Sequence, residues 1–424
     1  MRFRNVEDIA AWRLCLGCGA CAWACAKGSV RLADVIRDGI RPTVIGDCAD
    51  CSDCVSVCPG IETSHGPFPA ESIKGLSKGW GPVLAIWEGH AADKELRYRG
   101  SSGGAASALA LYCLTRLGAS GVLHSAQKDD EPWRNRTFFS TTAQELLARS
   151  GSRYSPASPC EGLGSLERAP SPGVFIGKPC DAAALRKAQE RSPALKANTA
   201  LSISIFCAGT PSTLGTIELL NRLKVRAPDL KYLRYRGMGW PGMWTAGLKD
   251  KGELRLTYKE AWGFLQKYRP FRCHLCPDGT GEFADVSCGD PWYRVISPDE
   301  PGLSLIIART PEGKRTIEAA ERDGFLNIRE IDPGLLAASQ ENLLKKRSAI
   351  WGRLAAMRLL GAPRPKLRGF SLLRNWLGLS MREKLKSLVG TARRVIRRKY
   401  WRPIRRLEQK AGRNGTKHQN TREA

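Results

Sequence analysis

The sequence predicts an α+β to α/β chain in three parts: a small cysteine-rich N-terminal unit, a larger mixed α/β body and a basic helical tail. Three observations predict it. Eight of the 15 cysteines fall before residue 60 in two tight groups. From Gly81 onward, short apolar runs alternate with longer segments of helical spacing. Lys and Arg then accumulate towards the C-terminus. A length of 424 residues also exceeds one simple core. The expected boundaries are residues 1–72, 80–345 and 346–424. No run of 18 apolar residues occurs, so no membrane-spanning helix is expected. The N-terminus lacks the features of a secretory signal, which leads to an expected cytoplasmic location. In a reducing compartment, clustered cysteines read as metal or redox ligands rather than disulfides.

The N-terminal groups are "CLGCGACAWAC", giving Cys15, Cys18, Cys21 and Cys25, and "CADCSDCVSVCPG", giving Cys48, Cys51, Cys54 and Cys58. Both read C-x2-C-x2-C-x3-C, the bacterial ferredoxin spacing for 4Fe–4S clusters. In that arrangement the fourth cysteine of each motif reaches across to the other cluster. One cluster is therefore expected on Cys15, Cys18, Cys21 and Cys58, and the other on Cys48, Cys51, Cys54 and Cys25. Zinc ribbons use C-x2-C pairs but do not double a 2-2-3 spacing. Gly17 and Gly19 let the backbone approach the sulfurs. Ala26 stands where proline usually follows the first motif. Between the motifs, "VIRDGIRPTV" reads as a hairpin turning at Asp38-Gly39. "ETSHGPFPAES" (Glu62 to Ser72) reads as a loop or linker.

The body carries strand-like runs, such as "VLAIWEG", "SPGVFIGKP", "LSISIFCAG" and "LSLIIART". The helix-like segments "AASALALYCLTRLG", "AAALRKAQER", "STLGTIELLNRLK" and "EGKRTIEAAERDG" alternate with them. "SSGG", Ser101 to Gly104, directly precedes a helix, where free N–H groups and the positive dipole end suit a phosphate. The same turn is also an ordinary helix entry. No Walker A and no well-placed GxGxxG pattern is present. Cys180 and Cys207 each follow a strand-like run, and C-terminal strand ends gather at one edge of an α/β sheet. The Cys273–Cys276 pair could complete four thiolates there. A structural zinc, or two buried thiols beside a redox-active CxxC, are the alternatives.

Taken together, "SSGGAASALALYCL", "GSRYSPASP", "FIGKPCDAAALRK", "ISIFCAGTPS", "CHLCPDGTGEFADVSCGD" and "SLIIARTPEGK" resemble the coenzyme F420 (deazaflavin) hydrogenase/dehydrogenase beta-subunit family. The resemblance spans roughly Trp80 to Gln340, and "YRGMGWPG" is similar to a bacterial branch found with polysaccharide-biosynthesis proteins. It implies an FAD domain with contacts at Ser101, Ser102, Gly103, Gly104, Tyr154 and Lys178. It also implies a third 4Fe–4S cluster on Cys180, Cys207, Cys273 and Cys276. The implied activity is that of an iron–sulfur flavoprotein oxidoreductase. Electrons would move between a ferredoxin-like partner, the clusters and FAD, with two-electron chemistry on an organic substrate or deazaflavin. The alternative is an electron-transfer subunit serving a partner enzyme, in polysaccharide biosynthesis by the branch resemblance. Homo-oligomerisation is left open.

Cys113 is expected in the core, and Cys160 in a loop with no partner pattern in the sequence. Cys288 is expected in the core or near the flavin. His274 reads as a spacer inside CxxC. For Asp285 and Asp290, proton handling and turn stabilisation both stand. No substrate acid or base stands out.

Formal charge is +26. From Met381 to Ala424 there are 15 Lys/Arg against 3 Asp/Glu, a net of +12 that leaves +14 for the other 380 residues. Met381, Leu385, Leu388, Val389, Ala392, Val395 and Ile396 fall at helical spacing among these cations. That pattern suits a helix on an anionic membrane surface, or one packed on the body with a solvated basic face. No motif supports specific nucleic-acid binding. The last stretch, from Gly412, reads as disordered.

Overall fold

A computed structural model describes residues 3–404 apart from 47, 49, 50, 251, 296, 298 and 299. The disorder expected from Gly412 lies outside the described residues. The body is built on an eight-stranded mixed sheet. Across the sheet its strands run Leu326–Glu330, Ala85–Ala91, Ser304–Ala308, Val286–Gly289, Thr199–Ile205, Gly173–Gly177, Val122–Gln127 and Asn135–Ser140. The four strands from Val286–Gly289 to Val122–Gln127 are mutually parallel. The flanking pairings are antiparallel.

Sequence explains this order. Ser304–Ala308 and Val286–Gly289 are buried throughout, as continuous apolar runs covered on both faces should be. The edge strand Leu326–Glu330 has mostly exposed polar side chains, which protect an open edge. Helices Ala105–Thr115 and Pro311–Arg322 cover one face through Leu109, Tyr112, Ile317 and Ala320. The second begins with Pro311 at its first position, and the Thr310 side chain accepts from Gly313 N–H. A three-stranded antiparallel sheet of Leu230–Arg234, Met243–Leu248 and Glu253–Thr257 forms a separate core around Trp244 and Leu265.

The N-terminal unit contains the hairpin Val30–Val35/Gly39–Val44 and the short helices Ala20–Trp23 and Asp53–Ser56. Gly39, at φ +82°, occupies the turn. Cys18, Ala20 and Val57 share one apolar cluster with Leu123, Phe175 and Leu185 of the body. The two units thus share part of one core.

Two expectations are corrected. Glu62–Ser64, expected as linker, pairs in parallel with Lys366–Arg368. The next residue, His65, stacks on Phe283 at 4.3 Å. A partner about 300 residues away supplied the hydrogen bonds, so local composition misled. The boundary expected after Lys345 falls inside the helix Glu341–Ser348, because Arg347 of its last turn is buried against the body. Beyond it, helices Ile350–Leu359, Leu372–Leu377 and Met381–Arg398 pack on one another and on the body. None of the described helices is long and apolar enough to cross a membrane.

Candidate functional site

Cys180 is held by the start of a helix. Strand Gly173–Gly177 leads into Lys178, Pro179 takes the first position of helix Pro179–Gln189, and Cys180 follows. The buried Asp181 carboxylate accepts from Lys178 N–H at 2.9 Å and from Lys178 Nζ at 2.6 Å. That closes the first turn around the cysteine. Cys207 leaves the neighbouring parallel strand, and its N–H donates to Gly279 O at 2.8 Å. Cys273 and Cys276 lie on the tight turn Phe271–Leu275 and just after it. Gly209 faces this turn, and a Cβ there would lie 2.6 Å from Arg269 Cδ.

These four cysteines line one cavity, together with Cys15, Arg41, Lys178, Arg272 and Lys346. Burial pushes the Cys180 and Cys207 thiols up, and Cys276 up to about 11. Loading a cationic centre would release those protons. Arg272 is 3% exposed, and its Nε and Nη1 have no hydrogen-bond partner among the described residues.

A second cavity is lined by Cys15, Cys18, Cys21 and Cys58, with Gly17, Gly19 and Gly60. Gly17 N–H points at Cys15 Sγ, 3.3 Å away. Gly17, at φ +73°, has Ile40 O 2.8 Å from where a Cβ would sit. Cys54 has Cys48, Cys51 and Cys25 as electrostatic neighbours, and its thiol is pushed up first by burial and further by them. Cys15 belongs to the walls of both cavities. Among the described residues, no three His, Cys, Asp or Glu side chains converge on a single-ion site. The cysteines instead line two cavities that share Cys15.

The SSGG turn sits at the same sheet edge. Ser102 Oγ donates to Leu303 O at 2.5 Å, and Gly103 N–H to Ser304 Oγ at 2.9 Å. A Cβ on Gly103 would lie 2.7 Å from Gly89 O, so this glycine is required by backbone packing. Gly104 is left-handed at the N-terminus of helix Ala105–Thr115. Ser101 Oγ accepts from Ser152 N–H at 2.8 Å, which joins the turn to the segment carrying Tyr154. Tyr154 lies in an aromatic group with Tyr235, Tyr258 and Trp262. Lys178 is separate from this group and faces the cysteine cavity.

Cys113 and Cys288 are in the core. Cys160, which shows no partner pattern in the sequence, donates its N–H to Cys18 O at 3.0 Å and its Sγ to Asp181 O at 3.4 Å. It is wedged between the N-terminal motif and the helix that carries Cys180. Asp285 is saturated by Arg186, Ser202 and Thr310, and Asp290 by Arg236 and Trp240. Both therefore fix the structure. His274 lies between the two cysteines with its carbonyl bound by Arg353. Sequence reasoning missed Arg41, Arg272 and Lys346. The only signal for Arg272 was a cation immediately before CxxC.

Models of the coenzyme F420 hydrogenase/dehydrogenase beta subunit match the chain, the N-terminal part over residues 86–163 and the C-terminal part over 173–334. The coenzyme F420 hydrogenase subunit beta of Methanococcus voltae is 28% identical over 65% of this chain and 95% of its own. The coenzyme F420-dependent sulfite reductase of Methanocaldococcus jannaschii is 27% identical over 77% of this chain, which spans 49% of that protein. A chain of the F420-reducing [NiFe] hydrogenase complex from Methanosarcina barkeri shares the fold, with a TM-score of 0.53 at 23% identity, over 67% of this chain and 95% of that one. With both halves of the family's beta subunit matched in order across the central sheet, the chain belongs to the coenzyme F420 hydrogenase/dehydrogenase beta-subunit family.

Proposed function

We propose that this chain is an iron–sulfur oxidoreductase subunit that exchanges electrons between a one-electron partner and a two-electron organic carrier of the deazaflavin class. One observation carries the reading: four cysteines from distant parts of the sequence line a single cavity, and Cys15 of the ferredoxin-type motif shares its wall. In this reading the cysteine-rich N-terminal part is a ferredoxin-like unit, the region built on the central sheet is the redox body, and the basic helices after Ser348 pack on that body.

The donor set fits a third 4Fe–4S cluster on Cys180, Cys207, Cys273 and Cys276. Four thiolates and a cubane core form an anionic group, and the orphaned Arg272 donors are the buried polar atoms such a group would satisfy. Arg41, Lys178 and Lys346 add positive charge around the same space. The crossed assignment places the other two clusters on Cys15, Cys18, Cys21 and Cys58, and on Cys48, Cys51, Cys54 and Cys25. FAD fits less closely. The first amides of helix Ala105–Thr115 suit a phosphate, but Gly103 N–H already serves Ser304. Ser101 is tied to Ser152, and Lys178 to Ala157 and Asp181, by hydrogen bonds within the chain. Bound cubanes supply one-electron transfer, and a bound flavin couples it to hydride chemistry. The chain itself supplies position, exclusion of water and positive charge. The relatives' names as subunits favour a role within a larger assembly, with the organic carrier or a partner enzyme as the electron acceptor.

Anaerobic purification with iron, sulfide and flavin quantitation tests the reading. About twelve irons per chain are expected, four per cubane, with one flavin. About eight irons would remove the third cluster, and absence of flavin would remove FAD. Arg272→Met should keep all the iron but lower the third cluster's midpoint potential. The expected shift is about 60 mV, a tenfold change in a one-electron equilibrium. EPR-monitored titration reads it, with the other two clusters as internal references.

A further inference from the structure

Among the described residues, helix Met381–Arg398 packs one face on the body and leaves an apolar stripe exposed. Val395 is fully buried with Leu275, Met357 and Tyr400, and Thr391 and Ser387 continue that inner face. Leu275 lies inside the Cys273–Cys276 loop, and Phe271 packs on Tyr400 at 4.4 Å. The inner face therefore braces the cysteine turn. On the other side Met381, Leu385, Val389 and Ile396 are 68%, 55%, 44% and 54% exposed. At 100° per residue these four fall within one sector of about 80°. The next sector, away from the body, holds Arg382, Arg393, Lys386 and Arg397. Leu373 and Leu377 of the preceding short helix are also exposed. Between Leu372 and Ile404 there are ten Lys/Arg and one acidic residue, Glu383. Glu383 is occupied in capping the helix with Ser380.

We propose that this outer face docks the protein on an anionic lipid bilayer. The apolar stripe would lie in the acyl boundary and the flanking cations at the headgroups. Charge complementarity selects the partner. A surface with this cation excess attracts anionic lipid, and the adjoining row of large apolar side chains has no role against water. A nucleic acid would use the cations but leave the stripe idle, because phosphate contacts are electrostatic. Docking holds the braced cysteine loop on the membrane side of the molecule. The proposal does not depend on which clusters are loaded.

The test uses the full chain, with vesicles of phosphatidylcholine alone and of phosphatidylcholine with phosphatidylglycerol, in a flotation assay. Binding is expected only to the anionic vesicles, and weakening as salt rises. Replacing Met381, Leu385, Val389 and Ile396 with serine should lower partitioning at least tenfold, with the unfolding midpoint unchanged because all four are solvent-facing. Replacing Arg382, Lys386, Arg393 and Arg397 with alanine should lower it about fivefold per cation. Deleting the helix is the wrong test, since it would uncover Leu275 and Met357. The idea is overturned if wild-type protein fails to float with anionic vesicles, or if the serine variant floats as well as wild type. Tighter binding to duplex DNA than to vesicles at equal salt, unaffected by the serine changes, would also overturn it.

Discussion

Cys180→Ala should lower the iron content from about twelve to about eight per chain, and leave the spectra of the two ferredoxin-type clusters unchanged. The expectation follows from where Cys180 stands. It is one of five cysteines on the larger cavity, and in the proposed ligand sets none of the other four is free to replace it. Cys207, Cys273 and Cys276 belong to the same proposed set, and Cys15, which lines both cavities, is proposed as a ligand with Cys18, Cys21 and Cys58. The truncation should also be mild for the apo chain. The helix start is fixed by Pro179 and by the Asp181–Lys178 contacts, which the substitution leaves in place. A change of about 1 kcal/mol or less in apo stability is expected. Loss of a whole cubane with little change in folding would separate a ligand from a packing residue. Cys160→Ala is the matched control: Cys160 is fully buried nearby but lines neither cavity, so iron should stay near twelve. Twelve irons in the Cys180 variant would remove Cys180 from the ligand set.

Some of this was legible in the sequence for a definite reason. The 2-2-3 spacing at Cys15 and Cys48 is dictated by the size of a cubane, so local sequence carries it. Ser304–Ala308 and Thr199–Ile205 were legible because a strand covered on both faces is a short apolar run. Cys180, Cys207, Cys273 and Cys276 are different. Only Cys273 and Cys276 are joined locally, as a CxxC pair; the strand ends and the family resemblance brought Cys180 and Cys207 to them. Arg272 was not legible, because its proposed role lies in two N–H groups left unpaired among the described residues of the folded chain. Glu62–Ser64 was misread because its strand partner is Lys366–Arg368. The tail helix was half legible. Periodicity found its apolar residues, but not that Val395 turns inward while Ile396 turns out. That division depends on Leu275 and Met357, which occupy the inner side.

Arg347→Met should destabilise the protein by about 3–5 kcal/mol at neutral pH, the cost of leaving one partner of a buried ion pair alone. Arg347 and Glu282 are paired, with side chains 2% and 1% exposed. Arg347 Nη2 also donates to Phe370 O at 3.1 Å, and its guanidinium lies 5.3 Å over the Phe370 ring. His65 Nε2 contacts the other carboxylate oxygen at 2.8 Å. The group ties the 62–65 segment, the 278–283 loop after CxxC and the helix Glu341–Ser348 together. Burial alone would push the Glu282 carboxyl up, but Arg347 and His65 overcome it and hold it below the ordinary range. A depressed folded value means the stabilisation is present above the unfolded value, about 4.3, and is lost as pH falls through the folded one. In the variant the strongest charge opposing burial is gone, so the Glu282 value should rise instead. The variant should then recover stability relative to wild type as pH falls from 7 towards 5, because a protonated carboxyl needs no cation. Denaturant midpoints across that range measure it. Adding Glu282→Gln to Arg347→Met should restore part of the loss at neutral pH and flatten the difference between pH 7 and 5. If the double variant is no more stable than the single one and keeps its pH dependence, the cost lies in lost packing of the Arg347 side chain rather than in a stranded charge.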